Sequence, residues 1–514
     1  MPASPLQALA ALILWIPICL AFFGTMKPLK AAIMSLIVGI VLLPERVMFD
    51  PPGLPPFDKQ AFACMGSYLG ALLFARDKLR RAKYLRGAEF FFIIVMLGNV
   101  GTALTNPDTV IIGGAMNWDG KTRSAEIPLQ ALGLYDIPSA TVRDFIGILL
   151  PFHIGRTLVR NRGEAVVMSG VLAGTMLVLL APMVLELRIS PQLHRWVYGF
   201  HSGSFAHNMR DGGFKAVLFF QSGLALAMFL LTGMFACVML MREKKKIAGF
   251  PPNAVLGVFW FALLISRNAA ANLYAFAVIP PVLRRATGSA ARLAVLLALL
   301  VVSFPALRAT GIFPADQLVE LAGKWSEHRA QSLEFRFDNE DILLERASER
   351  KWFGWGGYGR NRVYDPRGKD ISVTDGEWII RYGIRGAVGF VGSFGLLVWP
   401  VIAAYRRRRK IRDPDTVALL DTMSLMVAVS AVDMLPNGFF TVLPYFYAGA
   451  LAGLTEGVSD AEPDPHVPQQ HAPVQIRVPD VQQTALPPAQ GMVPYDPRQA
   501  GQYGGDDPDQ MGGR

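Results

Sequence analysis

Long apolar runs alternate with short polar breaks along most of the chain. A helix needs about 20 predominantly apolar residues to cross a bilayer. Thirteen stretches are candidate spans: 6–24, 29–46, 60–75, 88–105, 140–158, 165–187, 216–240, 251–266, 269–283, 290–308, 386–404, 417–433 and 438–455. The run 140–158 has the shortest apolar centre, FIGILLPFHIG, and carries Pro151 and His153. Residues 1–5 (MPASP) lack a basic n-region, so the first run is expected to be a span and not a cleaved leader. Segment 309–385 is too polar for lipid and too long for a connector, which marks it as a functional loop or a small domain. From about 457, prolines recur with Gln, Gly and Asp; such a tail buries no core and is expected to be disordered. The pattern predicts an all-α polytopic membrane protein with 12–13 transmembrane helices. Its expected parts are N-terminal helices (1–308), one long loop (309–385), C-terminal helices (386–456) and a cytoplasmic tail (457–514).

Basic residues orient the spans. Alternate loops are rich in them: Lys27/Lys30, RDKLRRAKYLR (76–86), RTLVRNR (156–162), REKKK (242–246), Arg284/Arg285 and RRRRKIR (406–412). If all thirteen runs cross, these six loops share one side, which the positive-inside rule makes cytoplasmic. Without a span at 140–158 the loops REKKK and RRRRKIR fall on the other side from RDKLRRAKYLR, so the alternation supports that run. Segment 309–385 then lies outside. Most of the formal charge of +10 is thereby explained by membrane anchoring, which removes the reason to expect a nucleic-acid partner. Only 18 % of the residues are charged and 52 % are hydrophobic, which disfavours a soluble enzyme. The cysteines, Cys19, Cys64 and Cys237, are scattered in apolar runs and predict neither a disulfide framework nor a zinc site.

Candidate chemistry lies on the outer face. No GxxxxGK[ST] is present, and the glycine run WFGWGGYGRNR (352–362), with Gly354, Gly356 and Gly357, has no strand–helix context for a nucleotide. It reads as a turn in which backbone comes close to another group. No histidines have metal-ligand spacing; His201 and His207 are six apart and do not share a helix face. Asp413-Pro-Asp415 reads as a helix start. Three outer arginines are more informative: Arg210 in AHNMRDGGF, Arg267 in a tight turn between apolar runs, and Arg336 in the long loop. A permanently charged planar fork suits phosphate oxygens, so the three point to an anionic group at the boundary; local ion pairs are the plainer alternative. In VTDGEWIIRYGIRGAVGF, Asp375 and Glu377 precede a span. Each is a candidate general base, with helix capping as the alternative.

The order of these features is similar to that of the O-antigen ligase and O-antigen polymerase superfamily of bacterial envelope glycan enzymes. The resemblance rests on the Ser266-Arg267 turn, Arg336, Trp352-Phe-Gly-x-Gly-Gly357, Trp378-Ile-Ile and the glycines Gly383 and Gly386. It covers about 165–456. It implies a C-type glycosyltransferase-like helical fold in the bacterial inner membrane, acting on the periplasmic side without metal or cofactor. The substrate implied is a glycan carried on undecaprenyl pyrophosphate. Membrane lipids, and other polysaccharide-assembly proteins, are the further partners expected. Arg267, Arg336 and Arg210 then hold the pyrophosphate, with Gly354, Gly356 and Gly357 in the substrate-binding motif, and Asp375 or Glu377 as base. Ligases commonly carry a His-Asn pair upstream of the paired glycines; here the segment is SVTDGEW, which favours a polymerase-like member. The alternatives are a ligase that transfers glycan to a lipid acceptor and, from another class, a lipid-linked glycan flippase or transporter.

Overall fold

A chain in hydrocarbon must satisfy its backbone hydrogen bonds internally, and a helix does so within one segment. The computed structural model describes residues 6–81, 87–116, 123–203, 208–210, 213–284, 288–439 and 442–461. In chain order come α1 (Leu6–Thr25), α2 (Pro28–Leu42), α3 (Lys59–Phe74), a single turn α4 (Arg76–Leu79) and α5 (Phe90–Leu104). Strands β1 (Val110–Gly113) and β2 (Glu126–Leu129) pair antiparallel, Val110 opposite Leu129. Next are α6 (Asp136–Asp144), α7 (Leu150–Leu158), α8 (Arg162–Ile189) and the short α9 (Leu193–Tyr198). A small hairpin, β3 (Met209–Arg210) and β4 (Gly213–Phe214), leads to α10 (Gly223–Arg242), α11 (Pro252–Ile265), α12 (Ala269–Leu283) and α13 (Ser289–Ala309). The polar segment contains α14 (Ala315–Gly323) and α15 (Glu327–Ser348). Three long helices follow: α16 (Glu377–Arg407), α17 (Pro414–Asp433) and α18 (Val442–Ala461).

Every expected apolar run is helical. Six helices are long and apolar enough to cross a membrane: α1, α8, α10, α13, α16 with its short extension to Lys410, and α17. Helices α2, α5, α11 and α12 are apolar but shorter, at 14 or 15 residues. The chain is therefore an all-α polytopic membrane protein. Helices α10 and α17 are buried nearly all round, whereas α1 buries only five residues and turns the rest outward. A helix apolar on every side is stable in either place.

The run at 140–158 is continuous with α6. Its apolar centre is wound as a π-helical turn, Phe145–Leu149, just before Pro151, which has no N–H to give to the turn preceding it. Two boundaries differ from expectation. The run 216–240 becomes helical only at Gly223, because the buried Glu186 carboxylate accepts from the N–H groups of Val217 and Leu218, at 2.8 and 2.7 Å, and also of Leu193. Ser222, whose side chain accepts from the Ala225 N–H, caps α10 instead. The span expected from 386 begins at Glu377 instead; residue 386 is a break inside α16, with Gly386 at φ 64° and ψ −165°. Helix α18 also continues to Ala461, past the expected start of the tail; the rest of the tail lies outside the described residues, as does His207.

Ion pairs gather the basic loops at one end. Glu164 accepts Lys78 and Arg81 at 2.6 and 2.8 Å, and Arg162 reaches Glu243, Asp413 and Asp415. Arg156 and Arg160 share Glu456, while Arg408 holds Asp421. Bases from three of the six basic loops, with Glu243 of a fourth, thus lie together. Asp413 caps α17 through the N–H groups of Asp415 and Thr416, as its position in the sequence predicts. The polar segment packs at the opposite end, with α15 against α16.

Candidate functional site

At that opposite end, α17 stops at Asp433 and the chain turns through Met434–Asn437 before α18. Glu377 starts α16 by donating its N–H to the Met434 and Asn437 carbonyls, at 3.0 and 3.3 Å. This ties the start of one helix to the end of another. Helix α15 lays Arg336 over the junction. Its Nη1 donates to the Pro436 carbonyl and to Asn437 Oδ1, both at 3.2 Å, and its Nε lies 3.8 Å from Asp375 Oδ2. Asn437 in turn donates to buried Asp433 at 2.8 Å. Below the junction a small pocket lies between α10, α17 and α18, with a cavity volume of about 30 Å³. Asp433, Asn437, Thr232 and Ser430 give it polar groups, and Met228, Phe229 and Leu443 an apolar wall.

The two candidate carboxylates have different surroundings. The Asp375 side chain is 44 % exposed and faces Arg336. It does not cap α16, whose N-cap is Gly376. Glu377 turns inward: its Oε1 accepts Arg381 Nε at 2.6 Å, Arg381 Nη1 reaches Asp144 at 2.7 Å, and Asn99 donates to Asp144 at 3.0 Å. Glu377 is thus taken up by an arginine inside the protein, whereas Asp375 is open to a substrate hydroxyl.

The other two arginines form a second group. Arg267 has φ 59° in its turn, which Asn268 fastens to α10 through the Gly223 carbonyl. The Arg267 guanidinium lies flat on Gly213; a Cβ there would come within 2.4 Å of it. Gly213 pairs with Arg210 across the β3–β4 hairpin, so Arg267 lies against the hairpin that carries Arg210. The side chain of Arg210 lies outside the described residues.

The glycine motif is used within the chain. Gly354 (φ 68°) has room for a hydrogen only, since a Cβ would lie 2.5 Å from the Ile384 carbonyl carbon. The N–H groups of Trp355 and Gly356 bond to the carbonyls of Gly383 and Ile384, at 2.9 and 3.0 Å, and Gly354 N–H bonds to Arg350. In return, Val388 N–H bonds to the Trp352 carbonyl on the far side of the Gly386 break. The expected close approach of backbone is therefore to α16. Those amides are occupied; at Gly357 the Cβ position is open. Buried Arg360 braces the turn through the carbonyls of Trp355, Asp108 and Gln130 and through Asn106 Oδ1.

Beside the site, Glu340 of α15 accepts Trp378 Nε1 at 3.1 Å and lies 3.4 Å from Arg308 Nε. Burial pushes its carboxyl up to about 7 from an ordinary 4.5, against the Trp378 hydrogen bond and the nearby Arg308 and Arg336; Asp341 adds to the rise. Between those two values the folded protein holds a proton that the unfolded chain has released. Stability should therefore fall as pH rises from about 4.5 to about 7 and level off beyond. Thermal unfolding across this range should show the fall in the wild type and a flatter profile in Glu340→Gln.

The sequence gives no sign of Asn437 as the partner of Arg336, or of Asp433 as the partner of Asn437, because a helix end and a tight turn do not reveal what folds over them. Arg381 carried a signal in its i,i+4 spacing from Glu377. Among the described residues, no three His, Cys, Asp or Glu side chains gather as a metal site. The chain matches no protein-family model and no curated protein.

Proposed function

We propose that the protein is a glycosyltransferase of the bacterial inner membrane. It polymerises oligosaccharide repeat units, carried on undecaprenyl pyrophosphate, into O-antigen or exopolysaccharide at the periplasmic face. The observation that carries this reading is Arg336, fixed by Asn437 and Pro436 beside an open Asp375. Five N–H donors in a planar fork leave capacity for phosphate oxygens after those bonds are made.

In this mechanism an acceptor sugar hydroxyl attacks the anomeric carbon of the donor while Asp375 takes its proton. The bond from that carbon to the pyrophosphate oxygen breaks, and the lipid pyrophosphate leaves with the electron pair. Arg336, with Arg267 and Arg210, stabilises the charge that develops, and a single displacement inverts the anomeric centre. Gly354, Gly356 and Gly357 set the loop that frames the site, and Glu377 anchors α16 to the turn after α17. The basic end of the bundle faces the cytoplasm.

Asp375→Asn should lower turnover about 10²–10⁴-fold with folding unchanged, the ordinary range for a lost general base. Glu377→Gln should instead lower thermal stability first, since it weakens a buried ion pair. Turnover measured on folded protein separates the two; normal turnover in Asp375→Asn removes the base from the mechanism. One observation favours a lipid-linked glycan flippase as the second reading: buried Asp433 lines the pocket, and carboxylates within membrane helices often mark transport pathways. Repeat units trapped in the inner leaflet of cells lacking the protein would support that reading; single units left on the lipid at the outer leaflet support a polymerase.

A further inference from the structure

Helix α14 has three faces. At about 100° per residue, Ala315, Val319, Ala322 and Ser326 cluster on one side, and all four are partly buried. Helix α15 packs there, with Ala330 beside Gly323. Asp316, Gln317, Glu320 and Lys324 fall on a second, exposed face. Leu318 and Leu321 fall within about 60° of each other on a third, and Trp325, in the turn that follows Gly323, continues it. This third face is apolar and open: Leu321 is 55 % exposed and Trp325 78 %. No residue of α14 is buried, so neither exposed face is covered by the chain itself.

The apolar face continues a surface that already belongs in lipid. Leu296, Leu299 and Val302 form the outward stripe of α13, one of the six helices long and apolar enough to cross a membrane. Ile312, which is 70 % exposed, follows, and α14 begins only a few residues past the end of α13 at Ala309. A short helix attached there, with apolar residues and a tryptophan on one face and charges on another, fits the plane of the membrane–water interface.

We propose that α14 is an interfacial anchor: Leu318, Leu321 and Trp325 sit in the outer leaflet and hold α15, with Arg336, at the depth of the lipid headgroups. The partner is the lipid surface. Such an anchor presents Arg336 where a phosphate attached to a lipid is found.

Nitroxide side chains at Leu321→Cys, Trp325→Cys and Glu320→Cys test this in the full chain, in nanodiscs of phosphatidylethanolamine and phosphatidylglycerol. The native Cys19, Cys64 and Cys237 are buried and leave the introduced thiol as the reactive one. Accessibility to oxygen should exceed accessibility to a water-soluble nickel chelate at 321 and 325, and the order should reverse at 320. Greater nickel accessibility at all three positions would overturn the proposal. Dipolar broadening between labels at 321 or 325 would overturn it too, by placing a second copy of the chain on this face. The readout needs no substrate, so it stands or falls separately from the glycosyltransferase reading.

Discussion

Arg336→Ala should lower polymerisation about 10²–10³-fold, the ordinary cost of removing one donor aimed at developing charge. Its side chain is partly exposed and is held by a carbonyl and an amide, with the Asp375 carboxylate 3.8 Å away. None of these three partners is a buried charge, so the helices should assemble as before. Arg336→Lys is the informative control. A lysine keeps the positive charge but cannot bond Pro436 and Asn437 while presenting further donors in a plane, so most of the loss should remain. Arg267→Ala should also lower the rate, with less effect, because Arg267 belongs to the group around Gly213. Full-length polymer made at the normal rate by a folded Arg336→Ala protein would remove the arginine from the mechanism.

Gly386→Ala and Gly354→Ala should each cost several kcal/mol of stability, while Gly357→Ala should stay within about 0.5 kcal/mol of wild type. Gly386 combines φ 64° with ψ −165°, a region essentially closed to residues with a Cβ. An added methyl would also lie 2.3 Å from the Trp352 carbonyl, and at Gly354 it would lie 2.5 Å from Ile384. Neither obstacle is a side chain that can swing away; both are backbone. Gly357 has no heavy atom within 4 Å of the added position. Thermal unfolding and yield of monodisperse protein check the contrast. Equal tolerance at all three positions would mean that the loop does not dock into the break in α16.

The helices were legible because apolar length is a strong signal, and most boundaries followed it. The clearest departures share a cause. Residues 377–385 include Glu377, Arg381 and Arg385, which hydropathy reads as loop; the fold keeps them helical by pairing Arg381 with Glu377 and Asp144. Residues 216–220 are apolar, yet Glu186, thirty residues earlier, takes the amides of Val217 and Leu218. A window along the chain registers neither distant partner. The same holds for the site. Arg336 and Asp375 stood out as charges beside membrane helices, and the glycine run as a place of close backbone approach. That Asn437 would hold the arginine, or that Gly383–Gly386 would receive the glycines, depends on packing between segments far apart in sequence. Asp375 and Glu377, two residues apart, looked equivalent until the fold turned one outward and the other inward.

The central claim is tested most directly with purified protein in nanodiscs and a defined oligosaccharide linked to undecaprenyl pyrophosphate, with products sized on a gel. The account predicts a ladder spaced by one repeat unit, formed by the wild type and nearly absent with Arg336→Ala. Substrate left at unit length by folded wild-type protein would contradict it.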